Sequence, residues 1–279
     1  MVLEQGLKTY SLEGTGITSS LLTSYMMCPR KFLFDINLWK SKEPSTALQF
    51  GSLFHSVLDL WYQGKTKTAI AKAINDYSFE GTITPEEAAF MQETATILFK
   101  GYQLKYASDM DRKHNPELKF DIQYKGFRFR GKMDDIMDGV DLMETKTRGQ
   151  ISNNYEKTLA LHFQSMFYAL AFRVMYRRPP EKTIHNVIRF SKKAGLEADI
   201  KKNPDYYFHR WIIQWSVKDL EQFEFELLAK LKDLKTRQVW WHNLCACDMY
   251  SGCSFSSACA NDDYSNLTKK KTLFVELDS

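Results

Sequence analysis

Two runs in the middle of the chain, Phe127 to Met133 and Val140 to Lys146, alternate apolar and polar residues, and the segment between them contains Asp138-Gly139. Period-two alternation turns one face of a strand toward a core, and Asp-Gly is a strong signal for a tight hairpin turn. A third alternating run, Lys119 to Tyr124 (KFDIQY), precedes them. Together they predict a small antiparallel sheet, whose apolar face must be covered by another layer. The flanking sequence supplies that layer. Thr18 or Ser19 caps a helix running toward Phe34, a second helix covers Thr46 to Gln63, and Thr84-Pro85-Glu86-Glu87 opens a third with cap, proline and early acids in the favoured order. Beyond the sheet the pattern predicts a long helix over Asn154 to Arg177, a strand over Thr183 to Phe190 and a charged loop from Ser191 to Asp205. A strand over Phe208 to Gln214, a helix from Ser216 to Gln238 and a β-prone tail from Thr272 to Leu277 complete the chain. Helices, then sheet, then helix and strand again give an α/β fold with a mixed sheet flanked by helices.

There is no internal repeat, low-complexity tract or Pro/Gly/Ser-rich linker, so the 279 residues are expected to form one composite domain. Its parts are a helical region over 1–115, a core over 116–238 and a cysteine-bearing tail over 239–279. Both charge signs are mixed and the net charge is only +4, so affinity for a polyanion has to come from local patches. The first ten residues carry Glu4 and Lys8 and lack the apolar centre of a secretory signal. Leu159 to Tyr176, the most apolar long stretch, is interrupted by His162, Gln164 and Arg173, which a lipid-facing span does not tolerate. The expectation is a protein that works inside the cell and away from membranes, where the spacing of five cysteines reflects metal binding or chance rather than a disulfide framework.

The chemistry concentrates in Phe129 to Arg148, FRGKMDDIMDGVDLMETKTR. Glu144 and Lys146 are two apart and project from the same side of a strand. A carboxylate beside an ammonium can hold a divalent cation and position a water, although Glu-x-Lys alone is more often a solvated face. The preceding strand adds Asp134 and Asp135. An even-numbered hairpin loop puts Asp135 on the face of Glu144; a three-residue loop with a glycine bulge puts Asp134 opposite it. Spacing leaves both open. Either register collects two carboxylates and a lysine, a set suited to Mg2+ or Mn2+ and to phosphodiester hydrolysis.

Gly131-x-x-Asp134 followed by Glu144-x-Lys146 resembles the core of the PD-(D/E)XK nuclease superfamily, specifically its RecB-like branch. That branch has a helical histidine ahead of the core, matched by Gly51-Ser-Leu-Phe-His55, and a Gln-x-x-x-Tyr helix after it, matched by Gln164-Ser-Met-Phe-Tyr168. The resemblance runs from Cys28 to Cys259 and implies a restriction-endonuclease-like core. It selects Asp134 over Asp135. It also implies that His55, Asp134, Glu144 and the backbone carbonyl of Thr145 bind the metal, and that Lys146 positions or activates the attacking water. Read from the residues alone, His55 lies on an apolar helix face and fits a core histidine. Gln164 and Tyr168, four apart on one helix face, can hydrogen-bond toward the sheet or a phosphate.

Cys247-x5-Cys253-x5-Cys259 forms a compact run with Cys245 two residues ahead, whereas Cys28 stands far away beside Pro29-Arg30-Lys31-Phe32. Thiols at this density point to a shared metal, zinc or iron–sulfur, and the spacing is not the paired Cys-x2-Cys of a zinc ribbon. The arrangement is similar to iron–sulfur RecB-like nucleases of the AddB and CRISPR-associated types, in which one early cysteine joins three late ones. It implies a [4Fe-4S] cluster on Cys28, Cys247, Cys253 and Cys259, with Zn2+ as the alternative. In the relatives the first two late cysteines lie close together; here both gaps are five residues, which leaves Cys245 as a substitute for Cys247. Such a centre would staple the first helix to the tail.

The function expected from these features is a Mg2+/Mn2+-dependent deoxyribonuclease, an exonuclease on single-stranded DNA or free ends, in repair, recombination or phage DNA processing, alongside a repair or recombination protein partner. Arg128, Arg130, Lys132 and Arg148 supply basic side chains near the motif, and Tyr206, Tyr207, Trp211, Trp215, Trp240 and Trp241 supply rings on which bases can stack. No Walker A motif is present, so no helicase motor is built in. Two alternatives stand beside this reading: a non-catalytic DNA-binding or assembly subunit that keeps the fold, marked by a lost acid or lysine, and a zinc-stabilised endonuclease.

Overall fold

The alternating runs form one antiparallel meander whose turns fix everything placed on it. In a computed structural model that describes residues 6–152, 154–249 and 252–278, the strands are β1 (Trp39–Ser41), β2 (His114–Tyr124), β3 (Phe127–Met137), β4 (Asp141–Arg148), β5 (Thr183–Arg189), β6 (Phe208–Ile213) and β7 (Leu267–Lys269). The helices are α1 (Gly6–Thr9), α2 (Ser19–Met27), α3 (Pro29–Ile36), α4 (Thr46–Tyr62), α5 (Lys67–Asn75), α6 (Pro85–Lys105), α7 (Tyr155–Leu159), α8 (Phe163–Tyr176), α9 (Leu196–Lys202), α10 (Pro204–Tyr207), α11 (Val217–Thr236), α12 (Ser256–Asn261) and α13 (Val275–Asp278). The main sheet has the order β2-β3-β4-β5-β6. Its pairs are antiparallel except β4 with β5, which run parallel, so the sheet is mixed.

The β3–β4 loop holds three residues. Asp138 and Gly139 both adopt positive φ (53° and 70°), and the Val140 N–H closes the turn on the Met137 carbonyl at 3.1 Å. Asp135 then pairs with Met143, Ile136 with Leu142 and Met137 with Asp141. One further step in the same register sets Asp134 opposite Glu144.

Alternation along the strands feeds two cores, one on each side of the sheet. Leu142 packs with Phe120, Phe129 and the α8 residues Phe167, Leu170 and Ala171, joined by residues of α2, α3 and α11. Its neighbour Met143 points the other way and packs with Ile184, Ile188 and the apolar faces of α4, α5 and α6. The caps follow the sequence signals: Thr18 caps α2, Thr84 closes a reciprocal capping box with Glu87, and Ser216 does the same with Asp219.

The expected helix toward Phe34 is two helices, because Cys28, preceding Pro29, is extended at φ −158° and ψ 114°. The helix expected over Asn154 to Arg177 divides into α7 and α8, with His162 capping α8 by accepting the Ser165 N–H. The expected loop from Ser191 to Asp205 contains α9 and enters α10. The tail over Thr272 to Leu277 runs into α13 instead of forming a strand; the late strand is β7, paired with β1. No helix among the described residues is long and apolar enough to cross a membrane.

Candidate active site

β3 and β4 present their acids to one another, and the three-residue loop decides which acid does so. The Asp134 carboxylate accepts the Thr145 backbone N–H at 2.7 Å, which holds it against β4. Asp135 is buried and turned away, bonded to His114 Nδ1 and to the Asn115 N–H at 3.0 Å. Gly131, three residues before Asp134, lets Phe120 close over the strand: a Cβ there would stand 2.5 Å from the Phe120 ring and 3.2 Å from that of Tyr168.

On β4 the side chains of Glu144 and Lys146 meet as a spacing of two requires, with the ammonium 2.6 Å from Glu144 Oε1. Glu144 is fully buried and its Oε2 has no hydrogen-bond partner. Such a desolvated acceptor is costly unless something cationic or protic completes it. Lys146 also donates to Gln164 Oε1 at 2.8 Å, and Gln164 Nε2 donates to the Tyr168 hydroxyl at 3.1 Å. The residues expected to flank the site therefore form a chain of contacts from β4 to α8.

Helix α4 brings His55 to the opposite edge of this group, with Nδ1 3.7 Å from Asp134 Oδ1. Glu117 of β2 reaches the same place. One ligand atom each from His55, Glu117 and Asp134 lie within 4.8 Å of one another, the only such group of three or more among the described residues. Glu144, expected among the ligands, lies beside that trio and is drawn to Lys146. Glu117 was not anticipated from the sequence. It stands between Pro116 and Leu118, which pair with Asp135 and Met133 on either side of Asp134, forms an ion pair with Lys132, and holds a left-handed backbone at φ 54°, a strained conformation for a non-glycine residue.

The electrostatics follow from burial. Desolvation raises Asp134 to about 6, against the pull of Lys146 and the Thr145 N–H. It raises Glu144 to about 7, with Lys146 opposing and Asp134 reinforcing the shift. Burial disfavours the Lys146 charge, but Glu144 and Asp134 more than offset this and hold the ammonium above its usual value. Desolvation and then Lys146 push His55 down, so its imidazole is neutral and able to donate a lone pair to a cation. A neutral imidazole, two carboxylates within ligand reach and a third buried acid with one oxygen left over from its pair with Lys146 form a hard donor set that fits a divalent cation.

Behind the strands lies a second group that the sequence did not announce. Arg210 pairs with Asp109 and donates to the Tyr102 hydroxyl at 2.7 Å; Asn186 Nδ2 donates to the same hydroxyl at 2.8 Å and to Thr145 Oγ1 at 3.1 Å. The side chain of Thr145, the residue between Glu144 and Lys146, is thus tied to a buried ion pair. A separate cleft of about 740 Å3, lined by Trp61, Ile97, Leu104 and Ile200 among others, contains none of the site residues.

The cysteines come together in part. The Asn243 N–H lies 3.4 Å from the Cys28 sulfur, and the Cys253 N–H bonds the Cys247 carbonyl at 2.8 Å. Desolvation, Cys253 and Cys28 raise the Cys247 thiol; burial raises Cys259 against Arg30, with Cys28 and Cys253 adding to the shift. No three of these sulfurs lie within 4.8 Å of one another.

Comparison with known proteins bears on the arrangement around Asp134 and Glu144. A solved structure from Eubacterium rectale, provisionally described as an exonuclease, is similar to this chain with a TM-score of 0.50 and 15% identity, over 83% of this chain and 85% of that one. A second, described as SSO0001, has 14% identity over the same shares at a TM-score of 0.32, too loose a likeness to support an argument. No curated protein matches. The family model of the PD-(D/E)XK nuclease superfamily matches residues 17–260, a span that includes α4, the whole mixed sheet and α8. The chain belongs to the PD-(D/E)XK nuclease superfamily.

Proposed function

We propose that this nuclease is a Mg2+- or Mn2+-dependent deoxyribonuclease of the RecB-like branch, acting inside the cell as an exonuclease on single-stranded DNA or DNA ends in repair, recombination or phage DNA processing. One arrangement supports this reading above all: the Glu144–Lys146 ion pair lies beside an Asp134 pinned by the Thr145 N–H, with a neutral His55 in reach. His55, Asp134 and Glu117, joined by Glu144 and the Thr145 carbonyl, would hold the cation. Bound there, a divalent cation supplies Lewis-acid stabilisation of the charge that develops on the scissile phosphate. The Lys146 ammonium, kept protonated by its two acids, orients the attacking water and offsets negative charge as it builds. Gln164 holds the lysine in line and Tyr168 holds Gln164.

The same reading gives Cys28, Cys247, Cys253 and Cys259 a [4Fe-4S] cluster that staples the tail to the α2–α3 junction, with Cys245 as the substitute ligand.

The test is anaerobic purification followed by digestion of end-labelled single- and double-stranded DNA with Mg2+, Mn2+ or EDTA. Metal-dependent release of short products from single strands is expected, from a brown protein that loses its colour in Cys28→Ala. Cleavage in EDTA, or near-normal turnover by Glu144→Ala or Lys146→Ala, would reject the assigned centre. A colourless protein would reject the cluster.

A further inference from the structure

The row of side chains that begins at the candidate site continues across the sheet to its edge. Parallel pairing sets Glu144 beside His185, and antiparallel pairing sets His185 beside Trp211. One pleat along, Lys146 lies beside Val187 and Val187 beside His209. Positions two apart on a strand share a face, so Glu144, Lys146, Trp211 and His209 stand on one surface. With strands about 4.8 Å apart, Trp211 lies on the order of 10 Å from Glu144. Strand β6 is the last in the sheet, and its Trp211 and His209 side chains are only partly buried.

These two rings stack on each other, with centroids 5.1 Å apart and planes within 6° of parallel. Tyr155 of α7 meets Trp211 edge-on at 5.6 Å, and the exposed Arg148 guanidinium lies 4.6 Å from the Tyr155 ring centre. Arg148 pairs in register with Arg189, which lies over Tyr206 at 4.0 Å. Two adjacent guanidiniums held on rings rather than on carboxylates leave their charge to an outside anion.

We propose that this edge is a base-stacking platform on which one nucleotide beside the scissile phosphate lays its base against Trp211 and His209 while Arg148 takes an adjoining phosphate, so that single-stranded polynucleotide is selected over duplex. The inference rests on the nuclease reading above for the position of the scissile phosphate. A planar ring stack accepts any base, whereas a duplex keeps its base faces inside its own stack. The occupant is fixed by chemistry: alternating anionic groups and flat rings, matching guanidiniums interleaved with aromatics.

Two measurements separate this inference from the nuclease reading. Binding is followed with a single strand carrying 2-aminopurine, using the Glu144→Gln protein so that no cleavage intervenes. The fluorescence should be quenched on binding, and the quench should be lost in Glu144→Gln/Trp211→Ala but kept in Glu144→Gln/Trp211→Phe. Turnover is followed on a labelled single strand and on methyl p-nitrophenyl phosphate, a diester without a base. Trp211→Ala should raise KM for the strand about tenfold or more, as expected for one stacked base, while hydrolysis of the small diester stays unchanged. Arg148→Gln, at an exposed position, should weaken strand binding and flatten its dependence on salt. Equal quenching with and without Trp211 would overturn the platform, as would parallel loss on both substrates. Quenching without cleavage by the unmodified protein would overturn the nuclease reading and leave the platform standing as a binding surface.

Discussion

Replacing Glu144 by glutamine should stabilise the metal-free protein at alkaline pH, even as it removes catalysis. Glu144 is fully buried, one of its oxygens lacks a partner, and burial lifts its pKa from 4.5 to about 7. A carboxyl raised on folding binds more protons folded than unfolded, so its contribution is neutral below the unfolded pKa. It becomes progressively unfavourable as pH rises toward the folded value, and levels off above it. A carboxyl lifted that far corresponds to a ceiling of about 3 kcal/mol lost by pH 8. Glutamine has nearly the same shape and does not ionise, but it leaves the half-buried Lys146 with Asp134 as its one remaining acid partner in the site, which takes back part of the gain. We expect Glu144→Gln to be more stable than the parent by about 1–2 kcal/mol at pH 8 in EDTA, a rise in Tm of roughly 2–6 °C. The difference should vanish near pH 4.5. Millimolar Mn2+ should then raise the parent's Tm and narrow the gap, because only the parent keeps its full ligand set. Thermal melts of both proteins across pH 4.5–8.5, with and without Mn2+, read this directly. A variant less stable than the parent at pH 8, or a gain of equal size at both ends of the range, would refute the argument that a buried carboxylate only partly compensated by Lys146 sits at this position.

Asp134→Ala should abolish cleavage, whereas Asp135→Ala should keep most of its activity per folded molecule and lose stability, since it strands the buried His114; melting curves and turnover measured together separate the two. Glu117→Gln should weaken metal affinity about tenfold in a calorimetric titration while leaving the fold intact, and unchanged affinity would remove Glu117 from the ligand set. Gly131→Ala should cost about 1–3 kcal/mol of stability, because its Cβ needs space now filled by the Phe120 ring; a melting temperature equal to the parent's would show that Phe120 yields freely.

Much of the fold was legible because its signals are local. The capping box at Thr84 and Glu87, the cap at Thr18 and the alternation of the three meander strands each depend on residues within a few positions of one another. The break between α2 and α3 was also written locally, in the residue before Pro29, and reading through it joined two helices into one. The break between α7 and α8 was not. Ala160-Leu161-His162 contains no glycine or proline, and the interruption is held from outside the segment, where the Trp215 indole donates to the Ala160 carbonyl at 2.9 Å. A tertiary contact set by a residue 55 positions away leaves no mark on hydrophobic periodicity.

The site divides along the same line. Glu144 with Lys146 was found by spacing and Gln164 with Tyr168 by the family resemblance, and in both pairs two along a strand and four along a helix fix which side chains meet. The choice between Asp134 and Asp135 hung on one loop length, and the positive φ angles of Asp138 and Gly139 set it at three residues. Glu117 escaped, although its position could have been counted. Tyr124 pairs with Phe127 across a two-residue turn at Lys125-Gly126, both with positive φ, and counting antiparallel pairs from that turn brings residue 117 to the level of residue 134. Glu117 lay outside the expected strand, which began at Lys119, and Pro116, which cannot donate to a ladder, stands just before it. Arg210, Asp109 and Tyr102 could not have been counted in this way: they reach Asn186 and Thr145 from β6, the segment after α6 and α6 itself, and no turn length relates those three segments. What a sequence yields about a site is therefore what lies within one strand, one helix or one hairpin of its motif; groups delivered by separate elements become visible only once those elements have packed.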